Sequence, residues 1–312
     1  MLAFVFPGQG AQYVGMGKEI AENFSVARHT FEEASDAVNM NMQNLCFHGP
    51  TEELVKTENT QPAILTTSVA IMKVLENEGL NCDITAGLSL GEYTSLVKSK
   101  VLEFSDAVKI VKNRGKYMQE AVPLGKGTMA AILGLDRERV EKLVAEINQG
   151  GVVDIANFNS PGQIVISGEV ESINKAVVRA KEIGAKKAVV LPVSAPFHSR
   201  MLIPAGKKLR RDLMKCSLGD PETVVITNVH ASPLKGKTDV IESLVEQVSS
   251  SVLWQDSIEL MINDGTSSFV EIGPGKALSS FIKRIARNMN KEVKTCNVDD
   301  VNSLKELMKN FN

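Results

Sequence analysis

The stretch Ile84-Thr85-Ala86-Gly87-Leu88-Ser89-Leu90-Gly91-Glu92-Tyr93 decides the fold of this chain. Ile84-Thr85-Ala86 reads as the end of a short apolar strand, and Glu92-Tyr93-Thr94-Ser95-Leu96-Val97 as the start of a helix. Between them stands a G-x-S-x-G pentapeptide. Strand, tight turn and helix in that order are what a nucleophile elbow requires. The glycines permit a bend that a Cβ would obstruct. The serine Oγ is then presented at a helix N-terminus, where free N–H groups and the helix dipole favour negative charge. The plainer reading is a chance Gly/Ser turn. The flanking strand and helix argue for the nucleophile, Ser89.

Outward from that turn, composition sets the frame. The chain has 312 residues, 43% hydrophobic and 23% charged, enough for one large core or a large domain carrying a smaller one. A net charge of −2 gives no global attraction to nucleic acid or to an anionic membrane. The four cysteines (Cys46, Cys82, Cys216, Cys296) are scattered and make no C-x-x-C pair. Neither a disulfide framework nor a zinc site is expected, and a reducing cytoplasm fits. The N-terminal Met1-Leu2-Ala3-Phe4-Val5-Phe6 lacks the basic flank and length of a signal peptide. No apolar run reaches the length of a membrane span.

Apolar strands alternate with amphipathic helices in the first third. Leu2–Phe6 reads as a strand, 62–77 as a helix with proline in its first turn, and 105–117 as a further helix. That grammar predicts an α/β fold with a parallel sheet and crossover helices. The middle differs. Strands at 129–133, 152–158, 163–167 and 188–193 alternate with helices at 137–147 and 170–183, and 159–162 reads as a turn. The order β-α-β-β-α-β is a ferredoxin-like unit. We expect it to form a small subdomain at 126–194, inserted into a discontinuous core of residues 1–125 and 195–312. After it, a strand is expected at 223–227 and a final one at 268–272.

A serine nucleophile needs a base, and the chain holds four histidines, His29, His48, His198 and His230. His29 lies in a charged helical stretch and reads as a solvated surface residue. His48 sits in a Cys-Phe-His-Gly-Pro turn and reads as structural. His230 follows a strand end and is the weaker alternative. His198, in Pro196-Phe197-His198-Ser199, occupies the loop returning from the insert, where its ring can face the cleft between the two lobes.

Four stretches together resemble the malonyl-CoA:acyl carrier protein transacylase family. They are Phe6-Pro7-Gly8-Gln9-Gly10-Ala11-Gln12, Gly87-Leu88-Ser89-Leu90-Gly91-Glu92, Asn157-Phe158-Asn159-Ser160-Pro161-Gly162-Gln163 and Glu271-Ile272-Gly273-Pro274-Gly275-Lys276, with Thr60-Gln61-Pro62-Ala63 as a fifth. The resemblance runs in order along essentially the whole chain. It implies an α/β-hydrolase-like core with a ferredoxin-like insert, matching the reading above. It implies Ser89 as acyl acceptor and His198 as base. It further implies the backbone N–H groups of Gln9 and Leu90 as oxyanion donors, and the Gln247 carbonyl as the group orienting the histidine. Arg114 would grip the free carboxylate of a malonyl group, with Gln61, Phe197, Met118 and Asn157 also lining the substrate. A planar guanidinium can hold a carboxylate by two parallel hydrogen bonds, which a lysine cannot copy. The ordinary fate of an arginine in Val111-Lys112-Asn113-Arg114-Gly115-Lys116 is a solvated helix face.

Two departures stand out. The family elbow most often reads Gly-His-Ser-Leu-Gly, whereas Leu88 precedes the serine here; altered packing rather than lost activity is expected. Phe197 precedes the histidine, and its ring should restrict room at the acyl α-carbon, favouring malonyl over methylmalonyl. The implied partners are malonyl-CoA and an acidic holo-acyl carrier protein, with neither metal nor redox cofactor. No nucleic acid or membrane partner is expected, and the chain is read as a cytoplasmic monomer. Lys207-Lys208-Leu209-Arg210-Arg211 and Lys283-Arg284-Ile285-Ala286-Arg287 are candidate basic docking faces, or ordinary solvated helix faces. Three other readings compete. An esterase or thioesterase would place its histidine late, yet more than a hundred residues follow His198. A non-catalytic scaffold would have lost Ser89, His198 or Arg114. A nucleotide site fails because glycines 8, 10, 15 and 17 fit neither phosphate-loop spacing.

Overall fold

The computed structural model describes residues 1–311. Nine strands are present among them: β1 (Leu2–Phe6), β2 (Ile84–Gly87), β3 (Gly127–Leu133), β4 (Val153–Ser160), β5 (Gln163–Glu169), β6 (Lys187–Val190), β7 (Val224–Ile226), β8 (Ser268–Ile272) and β9 (Lys294–Val298). They form two sheets. One is five-stranded in the order β7-β2-β1-β8-β9, parallel throughout; the other is four-stranded in the order β4-β5-β3-β6, with every pairing antiparallel. This is the α/β class expected, a parallel sheet with a separate antiparallel one.

A parallel sheet covered on both faces needs strands that are apolar on both faces. β1 meets that demand. Phe4 and Phe6 enter the core beneath helices Ser25–Val38, Thr57–Asn77 and Gly91–Lys98. Ala3 and Val5 point the other way, to Trp254, Ile258, Leu278 and Ile282 on helices Trp254–Asn263 and Ala277–Asn288. The antiparallel sheet packs one face on helices Arg137–Ile147 and Val170–Glu182, through Ala130, Ile132, Ile164 and Ile166. The alternate residues Met129 and Val165 join the main core. The outer edge of β4 continues into the main body: the Phe158 N–H donates to the Val252 carbonyl at 3.0 Å, and the Val252 N–H to Ala156 at 2.8 Å. Arg137 pairs with Asp256, and Asp154 takes Ser199 and Arg200, across the same seam.

Several expectations are corrected. The helix read at 62–77 begins at Thr57, so Pro62 lies inside it rather than in its first turn. Burial is nearly unbroken from Asn59 to Met72, and such packing outweighs one hydrogen bond lost at a proline. Ser268–Ile272 is not the final strand. β9 follows it at the sheet edge, and its Lys-Thr-Cys-Asn-Val sequence is too polar to announce itself. Residues 159 and 160 belong to β4, leaving Pro161-Gly162 as the turn. His48 ends helix Met42–His48 rather than lying in a turn. Other boundaries move by a few residues at most.

The Glu271-Ile272-Gly273-Pro274-Gly275 stretch has a structural task. The Glu271 carboxylate accepts from the Leu278 and Ser279 N–H groups at 3.1 and 2.8 Å, satisfying the start of helix Ala277–Asn288.

Candidate active site

β2 ends at Gly87 and the following helix begins at Gly91. Three residues therefore reverse the chain. A Cβ on Gly87 would lie 1.9 Å from the Gly91 carbonyl carbon, and one on Gly91 would lie 2.1 Å from the Phe6 carbonyl oxygen. No real Cβ approaches backbone so closely, so both positions require glycine. Ser89, at the apex, takes φ 52°, and His198 takes φ 59°. Non-glycine residues pay a conformational penalty there, and such strain collects at functional sites.

The apex faces the returning loop. Ser89 Oγ lies 2.8 Å from His198 Nε2, and His198 Nδ1 lies 2.8 Å from the Gln247 carbonyl. A carbonyl only accepts, so Nδ1 carries the proton and donates. Nε2 is left with its lone pair toward the serine hydroxyl. The tautomer is thus fixed by backbone, with no acid in the third position. Burial, followed by the Arg114 charge, lowers the His198 pKa to about 4. The ring is neutral and ready to accept a proton at ordinary pH.

Arg114 is not a solvated helix residue. It projects from helix Phe104–Glu120 and is 1% exposed. Nη1 donates to Gln61 Oε1 at 2.9 Å, while Nη2 donates to Gln247 Oε1 at 2.9 Å and to Ser89 Oγ at 3.1 Å. Its guanidinium carbon lies 5.4 Å from the Tyr93 ring centre. Its Nε has no partner. All the groups it touches are neutral, so a buried cation lies beside the serine without a direct counter-charge. That is a costly arrangement unless an anion arrives.

The other expected residues divide. Gln61 joins the network, and its Nε2 faces Met118 Sδ at 3.8 Å. Leu90 is buried at the head of the helix after the elbow. Gln9 lies in the loop after β1, its Nε2 donating to Thr57 Oγ1 at 3.4 Å. Asn157, on β4 opposite Val252, and Phe197, packed in the main core, lie outside the side-chain network around Ser89. His230 is exposed, 3.8 Å from the Glu246 carboxylate, and His29 and His48 are exposed as well. None of the three approaches the serine.

Two residues of the network had no role assigned from sequence. Asn228 braces the elbow: its Oδ1 accepts from the Ser89 N–H at 2.6 Å and its Nδ2 donates to the Gly87 carbonyl at 2.7 Å. Glu92, 1% exposed, accepts at one oxygen from the Asn228 N–H and from Gln247 Nε2. Burial raises its pKa to about 7 against the lowering influence of those donors and of Arg114. Glu92 was visible as the residue closing the elbow motif but read only as a helix start. Asn228 gave no signal beyond following a strand.

No group of His, Cys, Asp and Glu that could hold a metal occurs among the described residues, and all four cysteines are free thiols. No helix among the described residues is long and apolar enough to cross a membrane. A polarised serine, a neutral imidazole with a fixed tautomer and an unpaired cation can together carry out acyl transfer to and from a group bearing a carboxylate.

Residues 3–305 match the acyl transferase domain family. The chain is 45% identical to the malonyl CoA-acyl carrier protein transacylase of Bacillus subtilis over 300 residues, 96% of this chain and 93% of the relative. It is 45% identical to that of Escherichia coli K12 over 284 residues, 91% of this chain and 92% of the relative. The crystal structure of the transacylase from Clostridium perfringens superposes with a TM-score of 0.95 at 46% identity, covering 99% of this chain and 96% of the other. A malonyl-transacylase in complex with a type II PKS acyl-carrier protein superposes equally well, at 0.95 and 41% identity, covering 99% of each chain. The chain belongs to the acyl transferase domain family, among its malonyl CoA-acyl carrier protein transacylases.

Proposed function

We propose that this chain transfers the malonyl group of malonyl-CoA to the phosphopantetheine thiol of acyl carrier protein, through a malonyl ester on Ser89. The observation that carries the reading is Arg114 Nη2 at 3.1 Å from Ser89 Oγ. A cation that close to the nucleophile selects an acyl group whose charge lies a short reach from its carbonyl. Malonyl, with a single methylene between the two, has that shape. Neutral acyl groups such as acetyl would leave the cation unpaired.

The hydrogen bonds at Ser89, His198 and Arg114 support the following steps. The malonyl carboxylate binds Arg114. His198 Nε2 takes the Ser89 proton as Oγ attacks the thioester carbon. The resulting oxyanion is met by the Gln9 and Leu90 backbone N–H groups. The C–S bond breaks, and the proton held by His198 passes to the departing coenzyme A sulfur. The carrier-protein thiol then enters, gives its proton to His198 and attacks the ester; Ser89 leaves with that proton. Malonyl moves from sulfur to oxygen to sulfur, with no net redox change and no cofactor. Phe197 limits substitution at the α-carbon, and Asn157 and Met118 complete the acyl pocket.

The reading extends to a monomer working in the cytoplasm, with residues 126–194 as a subdomain closing over the cleft. The acidic carrier protein docks on basic surface. In helix Ile203–Leu213, Lys207 and Arg211 are exposed, while Lys208 and Arg210 already pair with Glu120 and Glu242. Lys283, Arg284 and Arg287 are exposed on the second candidate face. A carrier-protein KM that does not rise with salt would exclude electrostatic docking. The deciding experiment is intact-mass analysis after incubation with malonyl-CoA, with peptide mapping. A malonyl adduct on Ser89, discharged by holo-carrier protein, is expected; an adduct elsewhere, or none, overturns the reading.

A further inference from the structure

Glu92 is a buried acid that reaches neither Ser89 Oγ nor the His198 ring by any hydrogen bond. What satisfies it is therefore informative, because a buried carboxylate without partners is heavily destabilising. Two hydrogen bonds converge on its Oε2, from the Asn228 N–H at 3.0 Å and Gln247 Nε2 at 2.8 Å, and the Ser243 hydroxyl also favours its charged form. Oε2 accepts both bonds whether the carboxyl is ionised or carries its proton on the other oxygen, so it orders the Gln247 amide. Nε2 must turn toward Glu92, and also meets the Ser89 carbonyl at 3.0 Å. Oε1 is thereby aimed at Arg114 Nη2, 2.9 Å away. The flipped amide would set its NH2 against the guanidinium donors and its oxygen against the carboxylate. Gln247 thus has two jobs. Its main-chain carbonyl fixes His198, which any residue could do, and its side chain fixes Arg114, which needs the amide in one orientation.

We propose that Glu92 is a positioning residue for acyl-group selection: by fixing the Gln247 amide it holds Arg114 where a substrate carboxylate can meet it. The inference rests on the malonyl-transfer reading. It separates selection from chemistry, because the Ser89–His198–Gln247 carbonyl relay contains no atom of Glu92. The convergence on one oxygen also separates charge from geometry. Glutamine at position 92 can place its carbonyl oxygen where Oε2 stands and keep both bonds, whereas methionine fills the space and accepts neither.

The test compares rates of Ser89 acylation by malonyl-CoA and acetyl-CoA in wild type, E92Q and E92M, with thermal melts of each. In E92M, malonyl acylation is expected to fall about 10- to 100-fold, the size of one lost hydrogen bond to a charged group. Acetyl acylation is expected to fall by less than about threefold, so the selectivity ratio collapses. E92Q is expected to restore that ratio to within about threefold of wild type. An equal fall for both donors in E92M, or an unchanged ratio, overturns the proposal, as does an E92Q ratio as poor as that of E92M. Should E92M fail to melt cooperatively, Gln247→Met decides in its place. It removes the amide but keeps the main-chain carbonyl, and an unchanged ratio there overturns the proposal equally. A wild type that forms no malonyl adduct on Ser89 overturns the malonyl-transfer reading instead, which keeps the two failures distinguishable.

Discussion

At residues 87–91 and again at 160–163 the chain turns back within a few residues, using glycine each time, yet the two turns obey different constraints. In the hairpin between β4 and β5, Gly162 takes φ 69°, and a Cβ added there would meet nothing nearer than 3.8 Å. Its geometry is local. In the elbow, Gly87 and Gly91 are enclosed by backbone from the turn itself and from β1, and the residue in the left-handed conformation is not a glycine but Ser89. The hairpin places its glycine where the strain would fall. The elbow places its glycines around the strain and leaves the strained position to the one side chain that does the chemistry. Asn228 holds it there, through the Ser89 N–H and the Gly87 carbonyl.

The contrast is broken most sharply at Gly87. Gly87→Ala drives a Cβ into the Gly91 backbone, and we expect a loss of about 3 kcal/mol or more with no adduct on Ser89. Chemical denaturation together with intact mass reads both; a variant of near-normal stability would show that the enclosure is soft. Arg114→Ala leaves the elbow intact but removes the cation. Malonyl acylation should fall about 10²- to 10³-fold, as for two charge-assisted hydrogen bonds, while acetyl acylation holds or rises. Equal activity toward malonyl-CoA would remove Arg114 from substrate recognition.

Two pH effects of opposite sign sharpen the picture of what surrounds Ser89. The His198 pKa, lowered by burial and then by Arg114 to about 4, lies below its unfolded value of 6.5. The neutral ring therefore contributes stability that is present above pH 6.5 and lost as pH falls through about 4. The acid limb of the acylation rate should likewise fall near pH 4 rather than 6.5; a limb near the ordinary histidine value would contradict a desolvated base. Glu92 runs the other way. Its pKa is raised by burial from 4.5 to about 7, so its contribution is present below pH 4.5 and lost as pH rises through about 7. Glu92→Gln removes that loss, and its melting temperature relative to wild type should be higher at pH 8 than at pH 4. A pH-independent difference would mean that the carboxyl is not taken out of water. The smallest effect belongs to the hairpin: Gly162→Ala should cost about 1–2 kcal/mol for a left-handed alanine and leave acylation rates unchanged. A kinetic change there would tie the turn to the site.

The alternation of apolar segments and turn residues determined much of this protein on its own. Leu2–Phe6 as a doubly buried strand, the β-α-β-β-α-β order between 127 and 190, and the strand–turn–helix at Ser89 all follow from local pattern. Their stabilising contacts are set by which faces are apolar. The elbow could be read for the same reason at Gly87, which faces Gly91 in the same turn, although Gly91 itself meets the distant Phe6 carbonyl. The start of the helix at Thr57 and the polar edge strand β9 were decided by packing against distant elements, so the local rules for proline and for strand alternation misread them. The site divides in the same way. Ser89 and His198 carry chemistry in their residue type and could be nominated. That Arg114 would be buried with no carboxylate in contact, that Asn228 would brace the turn, and that Glu92 would hold the Gln247 amide depended on segments 53 to 155 residues apart meeting in space. Hydrogen-bond partners across such separations leave no trace in the pattern of either segment, because each is chosen to suit the other only once the chain has folded.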